Sequence, residues 1–159
     1  LFQGITTDRR LITLAEKVYN NANLENPIAP SDTAVKLVAF LERCREEWGF
    51  AKDVYIDNAD QATMTELKKY KRLNNCLYNF WDAYKKLCIL DRIKLQLGWI
   101  QQGCYLVVDE CPEHLAELEK YSWKEDKDEP EDRNDHTINA SQYGWIPYRS
   151  MIGFEEDKK

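Results

Sequence analysis

The sequence predicts an α/β fold in which a mixed β-sheet is flanked by helices. Two observations carry this prediction: the chain opens with two apolar segments joined by a short turn, and it then alternates between helical and strand patterns. Its 159 residues, 43% hydrophobic and 12% aromatic, suffice for one sizeable core. We therefore expect a single domain over residues 1–154, followed by a disordered tail at 155–159.

The opening hairpin and the first helix have the clearest local signals. Asp8-Arg9 is the expected turn between two strands, and the Asn- and Pro-rich segment 20–30 is the expected loop that follows them. Ser31 is the expected N-cap of a helix that ends near Gly49. The apolar residues of this helix recur at helical spacing and predict one buried face: Ala34, Leu37, Val38, Leu41, Cys44 and Trp48.

The remaining elements follow from shorter patterns. Residues 53–57 and 104–109 are short apolar runs typical of strands, and residues 76–83 are enriched in aromatic side chains. The helix after Cys111 begins with Pro112 and an early acid, Glu113, as the helix dipole favours. The predicted strands span residues 1–7, 11–19, 53–57, 76–83 and 104–109, and the predicted helices span 31–49, 61–70, 89–101, 112–121 and 134–143.

The net charge of −6, from 22 basic and 28 acidic residues, gives the chain as a whole no electrostatic attraction to nucleic acid. Contact with DNA would therefore depend on bound metal or on local basic clusters. One cluster follows the third predicted strand and another surrounds Arg92. The expected phosphate contacts are Lys68, Lys69, Lys71, Arg72 and Arg92, although such clusters are usually solvated helix faces.

The five cysteines, odd in number and without CxxC spacing, argue against a disulfide framework and a zinc ribbon, and they favour a reducing, intracellular compartment. His114 lies near Cys104 and Cys111 in sequence, but a zinc site there would lack a fourth ligand. No apolar run approaches the roughly 20 residues of a membrane helix, and no signal segment is present, so no membrane role is expected. The motifs of nucleotide binding and serine hydrolysis are also absent.

Asp57 is the first candidate site residue. It directly follows Val54-Tyr55-Ile56, so it is expected at the C-terminal end of a buried strand, where α/β sheets commonly place ligand-binding groups. Asp60, in the turn just beyond, is either a second site residue or the N-cap of the next helix.

A second polar cluster opens the last predicted helix. His136 lies three positions and Asp135 four positions from Asn139, so helical spacing places each on the same side as Asn139. Together with Asp57, these side chains suit Mg²⁺ or Mn²⁺, which would supply a hydroxide and stabilise charge in phosphodiester cleavage. His136 is a ligand, a proton shuttle or a structural residue. The acidic segment 124–135 is either a plain solvated loop or one whose acids approach the metal site.

The order of these motifs along nearly the whole chain resembles the C-terminal nuclease domain of the phage terminase large subunit. The resemblance rests on the hairpin, the VYIDNAD segment, a basic and aromatic middle segment, an acidic proline-containing loop, and a last motif of the form D-H-x-x-D-A-x-x-Y, which stands here as DHTINASQY from Asp135 to Tyr143. It implies a ribonuclease H-like fold whose aspartates bind two divalent metals. Asp57 is similar to the second of these aspartates, and His136 is similar to the histidine of the last motif.

The sequence departs from the family pattern in two ways. Asn139 stands where the pattern has an aspartate, and a neutral amide offers an oxygen but no charge, so cutting is expected to be weak or to need Mn²⁺. The strand that would carry the first aspartate is missing from the start of the sequence, so we expect a preceding strand in the natural protein. Leu1-Phe2-Gln3-Gly4 also resembles the remnant of a protease-cleavable tag, but we favour a native strand.

The resemblance implies a Mg²⁺- or Mn²⁺-dependent endonuclease that cuts concatemeric double-stranded DNA during viral packaging. Asp57, His136 and Asn139 would be catalytic, and Asp57, Asp135 and Asn139 would hold the metals. The implied partners are DNA, the terminase small subunit, the portal protein and an N-terminal ATPase domain outside this sequence, in the cytoplasm of the infected bacterial host. Two alternatives remain: a cleavage-incompetent ribonuclease H-like module that docks on DNA or portal protein, and another nuclease of this fold, such as a junction resolvase.

Overall fold

The computed structural model describes residues 1–19, 25–84, 87–120 and 135–154. The chain divides into two compact units: unit 1 comprises Leu1–Glu16 and Tyr84–Lys159, and unit 2 comprises Lys17–Ala83. Both contain strands and helices, and one sheet is mixed, so the predicted α/β class is confirmed. The predicted tail, and all of the predicted acidic loop except Asp135, lie outside the described residues.

Strands and helices alternate along the described chain after an opening hairpin. The strands are β1 (Phe2–Ile5), β2 (Leu11–Ala15), β3 (Asp53–Ile56), β4 (Asn79–Asp82) and β5 (Tyr105–Val107). The helices are α1 (Pro30–Trp48), α2 (Gln61–Asn74), α3 (Ile89–Gln101), α4 (Pro112–Lys120) and α5 (His136–Trp145), followed by a 3-10 helix (Ile146–Met151). Each predicted strand and helix therefore has a counterpart in the structure.

The first helix ends near Gly49 as predicted, but its start and the exposure of its last residue differ from the prediction. It begins at Pro30, with Ala29 at the N-cap and no capping side chain, so the expected cap by Ser31 is wrong. Proline suits the first turn of a helix because its missing N–H has no partner there in any case. At the other end, the side chain of Trp48 is 46% exposed. The rest of the predicted face is largely confirmed, with these residues buried: Ala34, Val38, Leu41 and Cys44.

Two strand boundaries also differ. α2 continues to Asn74 and ends at Asn75, which adopts the left-handed conformation (φ 52°) that commonly terminates helices. The strand predicted to begin at Cys76 therefore starts only at Asn79. β2 ends at Ala15, earlier than expected.

Unit 1 is built on a three-stranded mixed sheet in the order β1-β2-β5. β1 and β2 form an antiparallel hairpin, and β5 pairs with β2 in parallel. The indole rings of Trp99 and Trp145 meet edge to face, with centroids 4.8 Å apart and an interplanar angle of 82°. The core around them contains Leu11, Trp99, Cys104, Tyr105, Trp145, Ile146 and Ile152.

Unit 2 contains a two-stranded parallel sheet, β3-β4, and the helix pair α1 and α2, which pack against each other. The sheet register pairs Asp53 with Asn79 and Ile56 with Asp82. The carboxyl ends of both strands thus lie at one edge of the sheet. Across the described residues of both units, no helix is long and apolar enough to cross a membrane.

Candidate active site

Asp57 follows β3 directly, as the sequence predicts, but the strand is half-buried throughout, so the predicted burial of this strand is wrong. The Asp57 Oδ1 atom accepts a hydrogen bond from the Ala59 backbone N–H (2.9 Å), and the Asp60 N–H donates to the Asp57 carbonyl oxygen (2.9 Å). The first bond orients the half-buried carboxylate, and the second closes the turn that follows the strand. Asp60 caps α2 by accepting from the Thr63 N–H (3.0 Å), which confirms the capping role among its two expected roles.

A second carboxylate, Asp82, ends the neighbouring strand. Because β3 and β4 are parallel, Asp82 lies beside Ile56, the residue that precedes Asp57. Gln61, at the start of α2, donates to the Asn58 carbonyl oxygen (2.7 Å) and to Asp82 Oδ1 (3.4 Å). The sequence interpretation did not single out Asp82, although NFWD repeats the VYID pattern of an apolar strand that ends in aspartate.

Asp135, His136 and Asn139 lie at the N-terminus of α5 in unit 1. The Asn139 Nδ2 donates to Asp135 Oδ2 (2.9 Å), so the predicted common face of these two residues is confirmed. Asp135 is buried, Asn139 is half-buried and His136 is exposed. Although Asp135 stands at the N-cap position, its side chain makes no capping hydrogen bond. Its carboxylate is engaged by Asn139 instead.

The first turn of α5 is capped by Glu117 of α4. One carboxylate oxygen, Oε2, accepts from the backbone N–H groups of Thr137 (2.7 Å) and Ile138 (3.2 Å) and from the Thr137 hydroxyl (2.6 Å). A carboxylate is favourable here because the N-terminus of a helix carries partial positive charge. Glu117 thereby takes over the role that an N-cap aspartate would normally fill.

A chain of hydrogen bonds runs from this turn into the core of unit 1. His114 Nδ1 lies 2.9 Å from Thr137 Oγ1, and His114 Nε2 lies 2.8 Å from Tyr105 Oη. The Tyr105 hydroxyl lies 2.8 Å from Ser141 Oγ, which also accepts from the Gln3 side-chain amide (2.8 Å). The elements β1, β5, α4 and α5 thus share one polar network.

The direction of these hydrogen bonds follows from the Glu117 end. The Glu117 carboxylate only accepts, so the Thr137 hydroxyl donates to it and accepts from Nδ1–H of His114. Nε2 of the neutral ring then accepts from the Tyr105 hydroxyl, so the Ser141 hydroxyl donates to Tyr105. Burial, opposed by Glu117, lowers the pKa of His114 to about 4, and burial raises the pKa of Tyr105 to about 12. Both groups are therefore neutral near pH 7.

Two of the predicted phosphate contacts make hydrogen bonds inside the protein. The Lys71 ammonium donates to the Tyr78 carbonyl oxygen (2.7 Å) and to Asn79 Oδ1 (2.9 Å), which ties the end of α2 to the start of β4. Arg92 Nη1 donates to Gln142 Oε1 (3.0 Å) across the α3–α5 interface. Both side chains thus have structural partners that the sequence did not indicate.

The other three predicted phosphate contacts lie on α2. Lys69 forms an ion pair with Glu66 (3.4 Å), one helical turn away. Lys68 and Arg72 are exposed. Their role in DNA binding stays a prediction.

The oxygen donors at both places are of the type that Mg²⁺ and Mn²⁺ prefer. Asp57 and Asp82 belong to unit 2, whereas Asp135 and Asn139 belong to unit 1. Among residues 1–19, 25–84, 87–120 and 135–154, no group of three or more His, Cys, Asp and Glu side chains could hold a metal ion. The donor types of these residues thus suit a divalent metal, but the described residues form no such cluster, and the metal-binding roles of Asp57, Asp135 and Asn139 stay predictions.

The fold of this chain is similar to that of a region of a phage large terminase. The chain superposes on two structures of the large terminase from a thermophilic bacteriophage, one of them in complex with ADP. In both cases the TM-score is 0.74 and the sequence identity 20%, and the match covers 92% of this chain and 35% of the terminase chain. The chain thus spans about a third of that protein's length. No protein-family model and no curated protein matches the sequence.

Proposed function

We propose that this chain is the nuclease domain of a viral DNA-packaging terminase, a Mg²⁺- or Mn²⁺-dependent endonuclease that cuts concatemeric double-stranded DNA. The likeness of fold to a phage large terminase over 92% of the chain is the observation that carries the proposal. Asp57 just after β3, and Asp135 and Asn139 at the N-terminus of α5, support it, because they supply oxygen ligands suited to these metals.

In this proposal Asp57, Asp135 and Asn139 hold the metal ions, and Asp82 is a further oxygen donor. Bound metal would supply an activated hydroxide and stabilise the charge that develops during phosphoryl transfer. The turn after β3 orients Asp57 through its backbone hydrogen bonds. His136, exposed on the first turn of α5, is accessible for proton transfer with substrate or solvent.

The proposed partners follow from the same assignment. They are double-stranded DNA, the terminase small subunit, the portal protein and an N-terminal ATPase domain of the same protein, in the cytoplasm of the infected bacterial host. The match to only 35% of the phage terminase chain is compatible with such a further domain. Lys68, Lys69 and Arg72 are the exposed candidates for phosphate contact.

Plasmid cleavage in Mn²⁺ tests the nuclease assignment. The protein encoded by the full open reading frame should nick or linearise supercoiled DNA, and Asp57→Asn should abolish cutting while leaving the fold intact. Asp32→Asn, which removes the same charge from an exposed position on α1 of the same unit, is the matched control and should cut normally. Equal cutting by wild type and Asp57→Asn, or no cutting by the full-length protein, would reject the proposal.

Asn139 favours a second candidate, a cleavage-incompetent module of the same fold that docks on DNA or portal protein. Its neutral amide stands where the family pattern has an aspartate, and its NH₂ group already bonds to Asp135. Calorimetric titration with Mn²⁺ separates the two functions. Micromolar binding that Asp57→Asn removes supports the enzyme, whereas no binding to the full-length protein supports the docking module.

A further inference from the structure

We propose that a basic pocket on α1 binds the phosphate backbone of nucleic acid. This α1 pocket has a volume of about 210 Å³ and is lined by Lys17, Tyr19, Lys36, Ala39, Phe40 and Arg43. All six residues belong to unit 2, and none is among the predicted phosphate contacts. The pocket therefore adds a contact surface to the one expected on α2.

Two ammonium groups converge on one aromatic ring at this pocket. The Lys17 Nζ lies 5.4 Å and the Lys36 Nζ 5.0 Å from the centroid of the Tyr19 ring, which is 46% exposed. Attraction to the ring face orients both cations. The Tyr19 ring therefore holds the two lysine ammonium groups near each other despite their mutual repulsion.

A third cation stands on the same side of α1. Arg43 follows Lys36 by seven residues, two helical turns, and its guanidinium carbon lies 5.5 Å from the centroid of the Phe40 ring. Phe40 is buried, so the cations border a pocket with an apolar base. Such a base excludes water from one side of the charges and strengthens their attraction for an anion.

No carboxylate among the described residues forms an ion pair with Lys17, Lys36 or Arg43. Solvated helix faces commonly alternate charges in sign, as Arg45 does with Glu42 at 3.6 Å on this same helix. Unit 2 also carries nine basic and ten acidic residues, so most of the chain's net charge of −6 belongs to unit 1. Three cations without an ion-paired carboxylate, in a nearly neutral unit, suit a phosphate group, which offers several anionic oxygens.

A polymer of phosphates fits these cations better than a single free phosphate. The lysine side chains are flexible point charges at an open surface, which is typical of contacts that follow a backbone without reading sequence. The ligand class is thus a nucleic-acid backbone, bound independently of base identity. Because the contact needs neither metal nor cleavage, it stands whether or not the nuclease proposal holds.

Fluorescence anisotropy with a labelled DNA duplex in EDTA tests this contact. Lys17→Gln/Lys36→Gln should weaken binding several-fold and lower the slope of log K against log salt by about 2, since each phosphate contact contributes about one unit. Lys52→Gln/Lys120→Gln makes the same change of charge at two exposed positions outside the pocket and should leave the slope nearly unchanged. Inorganic phosphate at an equal concentration of phosphate groups should not displace the duplex.

Three outcomes would overturn the inference. The first is an equal loss of DNA affinity in the two double variants, and the second is an unchanged salt slope in Lys17→Gln/Lys36→Gln. The third is full displacement of the duplex by inorganic phosphate. Lys36→Arg keeps the charge and should bind as wild type does. Thermal unfolding of every variant establishes that a loss of binding is not a loss of fold. Arg43→Gln provides a second, independent removal of one cation, with an expected slope change of about 1.

Discussion

Asn139 differs from an aspartate by one group, and its surroundings determine what that difference does. Its amide donates to the buried carboxylate of Asp135 at 2.9 Å. A charged residue at this position would place two carboxylates in contact, which is unfavourable unless a cation lies between them. The amide therefore suits a metal-free protein, and an aspartate would suit a metal-bound one.

We expect Asn139→Asp to lower the free energy of unfolding without metal by about 1–3 kcal/mol, because a hydrogen bond is lost and like charges meet. Mn²⁺ should then raise the unfolding temperature of this variant more than that of wild type, since a ligand that binds only the native state stabilises it. Differential scanning fluorimetry in EDTA and in Mn²⁺ measures both effects. Asn139→Ala is the control, because it removes the hydrogen bond without adding charge. If Mn²⁺ raises the unfolding temperature of wild type, Asn139→Asp and Asn139→Ala by the same amount, a metal role for this position is contradicted.

His114 links stability to pH because its pKa is about 4 in the folded protein and 6.5 in the reference state. The unfolded chain binds more protons between these values, so this residue makes stability fall as the pH drops from about 6.5 towards 4. The contribution lost is up to about 3 kcal/mol. The two side chains that bond to the His114 ring, Tyr105 and Thr137, stay neutral in this pH range, so neither becomes an anion that could compensate for the lost stability.

Urea unfolding at pH 7 and pH 5 measures this dependence. His114→Gln should be less stable than wild type at pH 7, and its stability should fall less on acidification. His136→Gln, which changes an exposed ring in the same unit, is the control. If His114→Gln loses as much stability as wild type between the two pH values, His114 is not the residue responsible.

At the scale of elements, two helices of unit 1 are capped at their N-termini by glutamate side chains that lie outside those helices. Glu16, just after β2, accepts from the N–H groups of Glu113 (2.8 Å) and His114 (2.9 Å) at the start of α4. Glu117 does the same for α5. The first contact joins the sheet to α4 and the second joins α4 to α5. Each cap is therefore also a tertiary contact between elements of unit 1.

We expect Glu117→Gln to destabilise the protein by about 1–3 kcal/mol, because a neutral amide is a weaker acceptor at a helix N-terminus and leaves the Thr137 hydroxyl less well bound. Glu119→Gln makes the same change at an exposed position of α4 and should cost little. Chemical denaturation of both variants gives the comparison. Indistinguishable midpoints would show that Glu117 contributes nothing as a cap.

The order and type of the elements could be predicted because burial repeats with the period of the backbone. In α1, for example, the spacing of Ala34, Val38 and Leu41 is enough to mark one buried face. Boundaries were harder, because neighbouring residues compete: both Pro30 and Ser31 favour a helix start, and the proline position prevails. The local sequence shows both possible helix starts but does not indicate which of them the helix uses.

At the scale of the whole molecule, contacts between distant segments were beyond the reach of local patterns. The parallel pairing of β2 with β5, the capping of α5 by Glu117 and the neighbouring positions of Asp57 and Asp82 each depend on such contacts. For the candidate site, the sequence predicted the local positions of individual residues but not which residues are neighbours in space. Asp57 follows a strand and Asp135 shares a face with Asn139, both as predicted, although that strand is half-buried and not buried. Asp82 became visible only through the strand register.

The five cysteines are distributed over both units, so their reactivity tests the packing of each unit. Cys88 is exposed and Cys76 is half-buried, whereas Cys44 in unit 2 and both Cys104 and Cys111 in unit 1 are buried. Burial also raises the pKa of the Cys44 thiol, which lowers its reactive thiolate fraction. Reactivity towards iodoacetamide should therefore follow exposure.

We expect Cys88 to be alkylated first in the native protein, Cys76 more slowly, and the three buried thiols only on unfolding. In denaturant all five should react at similar rates, with or without prior reduction, because none is in a disulfide. Peptide mass spectrometry over a time course in native buffer and in urea measures each site. Protection of Cys44 reports on the helix pair of unit 2, and protection of Cys104 reports on the tryptophan-lined core of unit 1. A buried thiol that reacts as fast as Cys88 in native buffer would show that the core of its own unit is not packed as described.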